Sequence, residues 1–122
     1  MDKMWNNQHP TVQLLGRWQP WHDGHTALFK RALDKTGQVC IMVRDTGGTD
    51  DKNPFLYEEV KLQIINKLSE QGYQLGNDYI VQLVPNIVNI TYGRDVGYVI
   101  EQEVFDEAIH SISATKIRQQ MK

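Results

Sequence analysis

Residues 11–43 read TVQLLGRWQPWHDGHTALFKRALDKTGQVCIMV, and the change of period along them decides the fold. The run TVQLL (11–15) is a short strand candidate, stopped by Gly16. HTALFKRALDKTG (25–37) then switches to helical spacing. Ala27, Leu28, Ala32 and Leu33 fall on one side, Lys30, Arg31, Asp34 and Lys35 sit mostly off it, and Gly37 stands where helices commonly stop. QVCIMV (38–43) is apolar without alternation, which predicts a strand buried on both faces and therefore parallel neighbours. Strand, helix and strand in that order form a crossover unit.

The remainder repeats the alternation. After a polar, glycine-containing loop, RDTGGTDDKNP (44–54), the segment FLYEEVKLQIINKLSEQG (55–72) predicts a helix with Val60, Ile64, Ile65 and Leu68 inward and Gly72 as its stop. YIVQLV (79–84) is a strand closed by Pro85, and IVNIT (87–91) reads as a further short strand. YVIEQEVF (98–105) fits either period and is read as a strand, while Ser113 serves as N-cap for a short terminal helix. The expectation is one α/β domain over residues 1–122. Its form is Rossmann-like and doubly wound, a mainly parallel sheet of about five strands with helices on both faces, preceded by a loosely ordered segment 1–10.

Composition removes several functions. The chain has 122 residues, 13 basic against 15 acidic, a formal charge of -2 and no clustering of its cations, so it lacks the electrostatic footprint of a nucleic-acid binder. The single cysteine, Cys40, falls inside VCIMV, where it reads as a small buried hydrophobe and excludes a disulfide framework. No apolar run approaches the roughly 20 residues that cross a bilayer, and MDKMWNNQHP has no apolar leader core. A soluble, cytoplasmic protein that binds no membrane is expected.

Within the opening stretch, GRWQPWHDGH (16–25) occupies the first strand-to-helix turn, where ligands of open α/β sheets bind. A helix starting near Gly24 would turn its free backbone N–H groups and positive dipole end toward an anion, with phosphate the natural choice. Gly24 permits close backbone approach, His25 and His22 aim imidazole donors into the same space, and Arg17 and Gln19 add more. Two other readings stay open: a zinc pair short of two further ligands, and histidines that merely pack. Neither a P-loop nor G-x-G-x-x-G is present. A second anion-ready helix start, ISATKIR (112–118), offers Ser113, Thr115 and the forked donor Arg118, although a plain capped amphipathic helix explains it equally.

Together, in this order on an α/β chain, GRWQPWHDGH and ISATKIR resemble the HxGH nucleotidylyltransferase superfamily, the cytidylyltransferase-like fold. GRWQPWH is similar to the opening motif of nicotinamide-mononucleotide adenylyltransferases, and NPFLYEE (53–59) adds a weaker likeness. The resemblance implies transfer of a nucleoside monophosphate, AMP from ATP with CMP from CTP as the alternative, to a small phosphorylated metabolite with release of pyrophosphate. It implies His22, His25, Arg118 and Lys52 as catalytic residues. Gly16, Arg17, Trp18, Gln19, Gly24, Ser113 and Thr115 would bind the nucleotide, with Mg²⁺ carried on the phosphates and no direct protein ligand to metal. Arg44, Arg94 and Asp95 are the candidate acceptor contacts. The same residues also read as solvated loop charges at Arg44 and Lys52, a turn-forming pair at Arg94 and Asp95, and packing at Trp18 and Trp21.

The sequence departs from the family where an arginine often follows N-P-F: here stand Val60 and Lys61. That keeps alive a non-catalytic nucleotide-binding module that has lost its acceptor site. A glycerol-3-phosphate type cytidylyltransferase and a piece of a class I aminoacyl-tRNA synthetase core are further alternatives, and a homodimer or larger assembly is compatible with the short chain.

Overall fold

The computed structural model describes residues 4–47, 51, 53–94 and 97–103. Its elements are β1 (Val12–Gly16), α1 (Asp23–Thr36), β2 (Val39–Arg44), α2 (Tyr57–Glu70) and β3 (Tyr79–Val84). The three strands form one parallel sheet in the order β1-β2-β3, with Val12 opposite Val39 and Val39 opposite Tyr79. Each helix is the crossover between neighbouring strands.

Alternation explains what the sheet buries. Leu14, Val39, Ile41, Val43, Tyr79 and Val81 share one core with residues from both helices. Successive right-handed crossovers running the same way across a sheet put their helices on the same side, and Lys30 of α1 bonds Gln71 at the end of α2 at 3.1 Å. Both described helices therefore cover one face. Helices on the second face, and strands beyond the third, are not among the described residues.

α2 buries Val60, Ile64 and Leu68 as its spacing predicts, with Ile65 at the flank. α1 is rotated from expectation. Its buried positions are Thr26, Phe29 and Ala32, while Leu28 and Leu33 pack at the margin and Ala27 is only half-buried. Phe29 wins the inward place because its ring has partners there: Tyr73 and Tyr79 meet it edge to face with centroids 5.1 and 5.6 Å away. Gly37 ends α1 in the left-handed region, φ 89°, its N–H donating to the Leu33 carbonyl at 2.7 Å, as its position in the sequence suggests.

Among the described residues, two runs read as strands are not in one. Residues 87–91 are irregular, with Val88 and Ile90 exposed; Ile87 N–H turns back to the Pro85 carbonyl at 2.7 Å, and the side chains of Thr91 and Asn89 bond each other. No described strand lies beside that run, and local bonds take up polar groups of it. Residues 98–103 are likewise irregular, held by ion pairs from Glu101 and Glu103 to Lys35 and from Glu103 to Arg31 on the outer side of α1. The rest of that predicted strand and the terminal helix lie outside the described residues.

Among the described residues ahead of β1, residues 4–11 are bonded to the rest of the fold at several points. Buried Gln38 donates to the Asn6 carbonyl at 2.8 Å and accepts from Asn6 N–H at 3.3 Å, and Trp5 N–H reaches the Gly76 carbonyl at 2.9 Å. Among the described residues, no helix is long and apolar enough to cross a membrane.

Candidate functional site

At the carboxyl end of β1 the chain must turn into α1 within six residues, and aromatic packing sets the path. A side chain at position 16 would meet the Trp18 ring at 3.0 Å, so Gly16 is required by close approach. Trp18 itself sits at φ 54°, in the left-handed region that non-glycine residues avoid. It is held there by burial, by donation from its Nε1 to the Met42 carbonyl at 3.0 Å, and by contact with Trp21 at 5.0 Å between centroids. A cis peptide joins Gln19 to Pro20, and Trp21 donates its Nε1–H to Thr26 Oγ1 at 2.9 Å. Both tryptophans are buried, which places them as the wall behind the histidines.

His22 and His25 cap α1 reciprocally. His22 is the N-cap, and its Nδ1 accepts from Gly24 N–H at 3.1 Å; His25, at the third helical position, accepts through its own Nδ1 from His22 N–H at 3.1 Å. The rings stack at 3.7 Å between centroids and 16° between planes, and the edge contact of His25 with Trp18 at 4.8 Å fixes its orientation. An accepting Nδ1 leaves the proton on Nε2 in a neutral imidazole. Each ring thus takes up a backbone N–H at one side and presents an N–H at the other.

Neutrality is enforced by the surroundings. Burial first, and then the neighbouring His22, lower His25 to about 3. Burial also lowers His22, against opposing contributions from Asp23 and a backbone hydrogen bond. At neutral pH the pair offers two Nε2–H donors and no net charge.

This corrects the expectation of free backbone donors. Gly24 N–H is used by the His22 ring, and the N–H groups of His25 and Thr26 both reach the His22 carbonyl, at 2.9 and 3.1 Å. The imidazoles carry the donor capacity of the helix start outward in place of the bare backbone. Asp23, the one acid of the first turn, is exposed and lies 4.0 Å from Lys67 of α2.

Around the pair, Arg17 Nη1 donates to Asn53 Oδ1 at 3.4 Å. Gln19 is buried, with its Nε2 donating to the Phe55 carbonyl at 3.1 Å and its Oε1 accepting from Phe55 N–H at 2.9 Å. Gly16, Arg17, Trp18, Gln19, His22, Gly24 and His25 are therefore gathered into one turn. Arg44 is not drawn to it: it bonds Asn86 Oδ1 at 2.9 Å, on the strand parity opposite to the core residues Ile41 and Val43. Arg94 is exposed. Lys52, Asp95, Ser113, Thr115 and Arg118 lie outside the described residues. Val60 is fully buried in the core, so the position where relatives of the motif often carry arginine faces the packed interior in this chain.

An open groove of about 560 Å³ runs on the α2 side of His22, between Asp23 and the exposed residues Asn66, Lys67 and Glu70. With two carboxylates against one ammonium it does not suit a polyanion. Among the described residues no group of three His, Cys, Asp or Glu side chains is placed to hold a metal ion, and the zinc reading of the histidine pair gains nothing.

Sequence reasoning missed Asn53, the Phe55 backbone and Thr26, whose roles rest on contacts between segments. It also missed the cap, although the signal was present: the spacing of His22 and His25 is that of a capping box, N-cap and third helical residue.

No family model matches the chain. Among curated proteins it is 34% identical over 74 residues to the nicotinamide-nucleotide adenylyltransferase of Ignicoccus hospitalis, covering 60% of this chain and 43% of that one. It is 23% identical over 114 residues to the enzyme of the same name from Methanococcus aeolicus, covering 85% and 66% of the two chains. With that of Thermococcus sibiricus it shares 29% over 133 aligned positions, covering 88% and 70%. The chain therefore spans less than half of the first of these relatives and about two thirds of the others.

Proposed function

We propose that the protein is a nucleotidylyltransferase that moves AMP from ATP onto a small phosphomonoester, with nicotinamide mononucleotide the first acceptor to test. The observation that carries this reading is the reciprocal histidine cap, which sets two neutral N–H donors side by side at the carboxyl end of β1. The adenylyltransferase names of the similar archaeal proteins favour ATP over CTP and supply the acceptor class.

The chemistry asks for no protein nucleophile. An oxygen of the acceptor phosphate attacks the α-phosphorus in line, a new P–O bond forms, and the bond to the bridging oxygen breaks with its electron pair leaving on pyrophosphate. Mg²⁺ enters as part of the nucleotide substrate. Charge shifts toward the leaving oxygens, and donors already fixed in place stabilise it without reorganisation. The His25 ring, wedged against Trp18 and Trp21 at 4.8 and 5.4 Å, is such a donor. Its neutrality matters as well. A proton held on Nε2 over the working pH range gives a hydrogen bond to phosphate that no titration interrupts. Arg17, Lys52 and Arg118 supply the positive charge in this reading, with Ser113 and Thr115 on the outer phosphates.

Incubation with each nucleoside triphosphate and a panel of phosphomonoesters, following pyrophosphate, tests the proposal. Release with ATP and nicotinamide mononucleotide is expected; silence across the panel contradicts it.

A further inference from the structure

Gln19 stands between two aromatic residues of the turn, and its side chain is turned away from the solvent. Only 6% of it is exposed, and both ends of its amide are engaged by a single residue, Phe55, 36 positions later in the chain. The donated and accepted bonds, 3.1 and 2.9 Å, copy the exchange by which two strands pair, here between two loops at the same edge of the sheet. Two residues before Phe55 stands Asn53, equally buried at 6%, and its Oδ1 receives the Arg17 guanidinium at 3.4 Å. Two residues before Gln19 stands Arg17. The contacts close a ring: Arg17, Gln19, Phe55, Asn53 and back to Arg17.

From this ring we infer that Gln19 is a positioning residue, acting through the Phe55 backbone and Asn53 to fix the direction of the Arg17 guanidinium, and that it is not itself a nucleotide ligand. The inference rests on the nucleotide-binding reading of the turn. A guanidinium with five donors and a flexible stem loses orientation entropy when it grips a phosphate. Holding one nitrogen on a buried amide settles that cost before the nucleotide arrives, while the other donors remain directed by the same fork. Gln19 is suited to this because its planar amide can donate and accept side by side, matching the C=O and N–H of one backbone residue. A glutamate would keep the bond from Phe55 N–H and turn its second oxygen against a carbonyl.

The test is a double-mutant cycle on ATP affinity, measured by calorimetry without acceptor, combined with amide hydrogen exchange at Phe55. Gln19→Met should speed exchange at Phe55 and weaken ATP binding about tenfold when Arg17 is present, and by less than about twofold when Arg17 is already alanine. Asn53→Ala, which leaves the Gln19 to Phe55 bonds in place, should show the same dependence on Arg17 and serves if Gln19→Met does not fold. Losses that add fully to that of Arg17→Ala would make Gln19 a direct ligand and overturn the inference. So would faster exchange at Phe55 with unchanged ATP affinity, which would make the ring a fold-stabilising contact only. Failure of the unaltered chain to bind ATP would sink the nucleotidylyltransferase reading and this role together, whereas binding with additive losses sinks this role alone.

Discussion

The two described helices both begin at the carboxyl edge of the sheet, α1 six residues after β1 and α2 after the longer segment 45–56, yet their first turns are capped differently. α1 starts on His22 and His25, neutral rings that accept backbone N–H groups and present others. α2 starts at Leu56, which has no acceptor to offer, and carries Glu58 and Glu59 in its first turn, with Glu59 Oε1 taking the Leu56 N–H at 3.1 Å. Carboxylates at a helix start complement its dipole and stabilise the helix, but they also occupy the place an anion would take. Neutral imidazoles stabilise by capping, and the one carboxylate in the first turn of α1, Asp23, is exposed and lies toward Lys67 of α2. Side chains thus cap the two helix starts differently: two neutral rings with one acid at α1, two acids at α2.

The comparison breaks most visibly if His25 is removed. For His25→Ala, pyrophosphate release should fall about 10² to 10³-fold, the range for loss of one fixed donor. The protein should stay cooperatively folded, with unfolding stability lower by about 1 kcal/mol for the lost cap. A retained rate would show that the cap is structural only.

Making α1 resemble α2 separates the two duties. Aspartate is among the best N-caps, so His22→Asp should keep unfolding stability within about 1 kcal/mol of the parent in urea titration. ATP affinity should drop by more than about tenfold, because an anion now faces the phosphates. Equal losses of stability and affinity would mean that the two duties cannot be separated.

Acid sharpens the contrast further. The folded-state value of His25 lies below its ordinary 6.5, at about 3, so the unfolded chain binds the proton more readily between these values. The stability this contributes is complete above pH 6.5 and is lost as the pH falls toward 3, by up to about 1.4 kcal/mol per pH unit. Urea unfolding of the parent and of His25→Ala over that range should show the excess slope in the parent alone. Parallel curves would contradict the neutral cap. At the other helix the effect is smallest: Glu59→Ala should cost about 0.5 kcal/mol and leave ATP affinity unchanged.

Much of this was legible in the chain. α1 and α2 were announced by helical spacing, β2 by an unbroken apolar run and β1 and β3 by short strand-like runs, and Gly37 and Pro85 stood near element ends. The run at 87–91 has the composition of a strand but no described strand beside it, and strand pairing is not something a local pattern holds. Phe29 replaced Ala27 on the inner face of α1 because Tyr73 and Tyr79 come to meet it from later elements. The histidines were visible as donors. That they consume the backbone N–H groups they were expected to accompany follows from ring orientation, which Trp18 imposes from an unusual backbone angle. The link from Arg17 to Asn53 joins loops 36 residues apart and leaves no periodic trace.

Two imidazoles that accept backbone N–H groups on one side and present N–H donors on the other, while uncharged, are the centre of the site. Nitrogen-15 NMR of the histidine rings at pH 7, without and with ATP and Mg²⁺, tests this most directly. Both His22 and His25 should be neutral with the proton on Nε2, and the nucleotide should shift Nε2 far more than Nδ1. An imidazolium, a proton on Nδ1 of either ring, or Nε2 signals indifferent to ATP would contradict it.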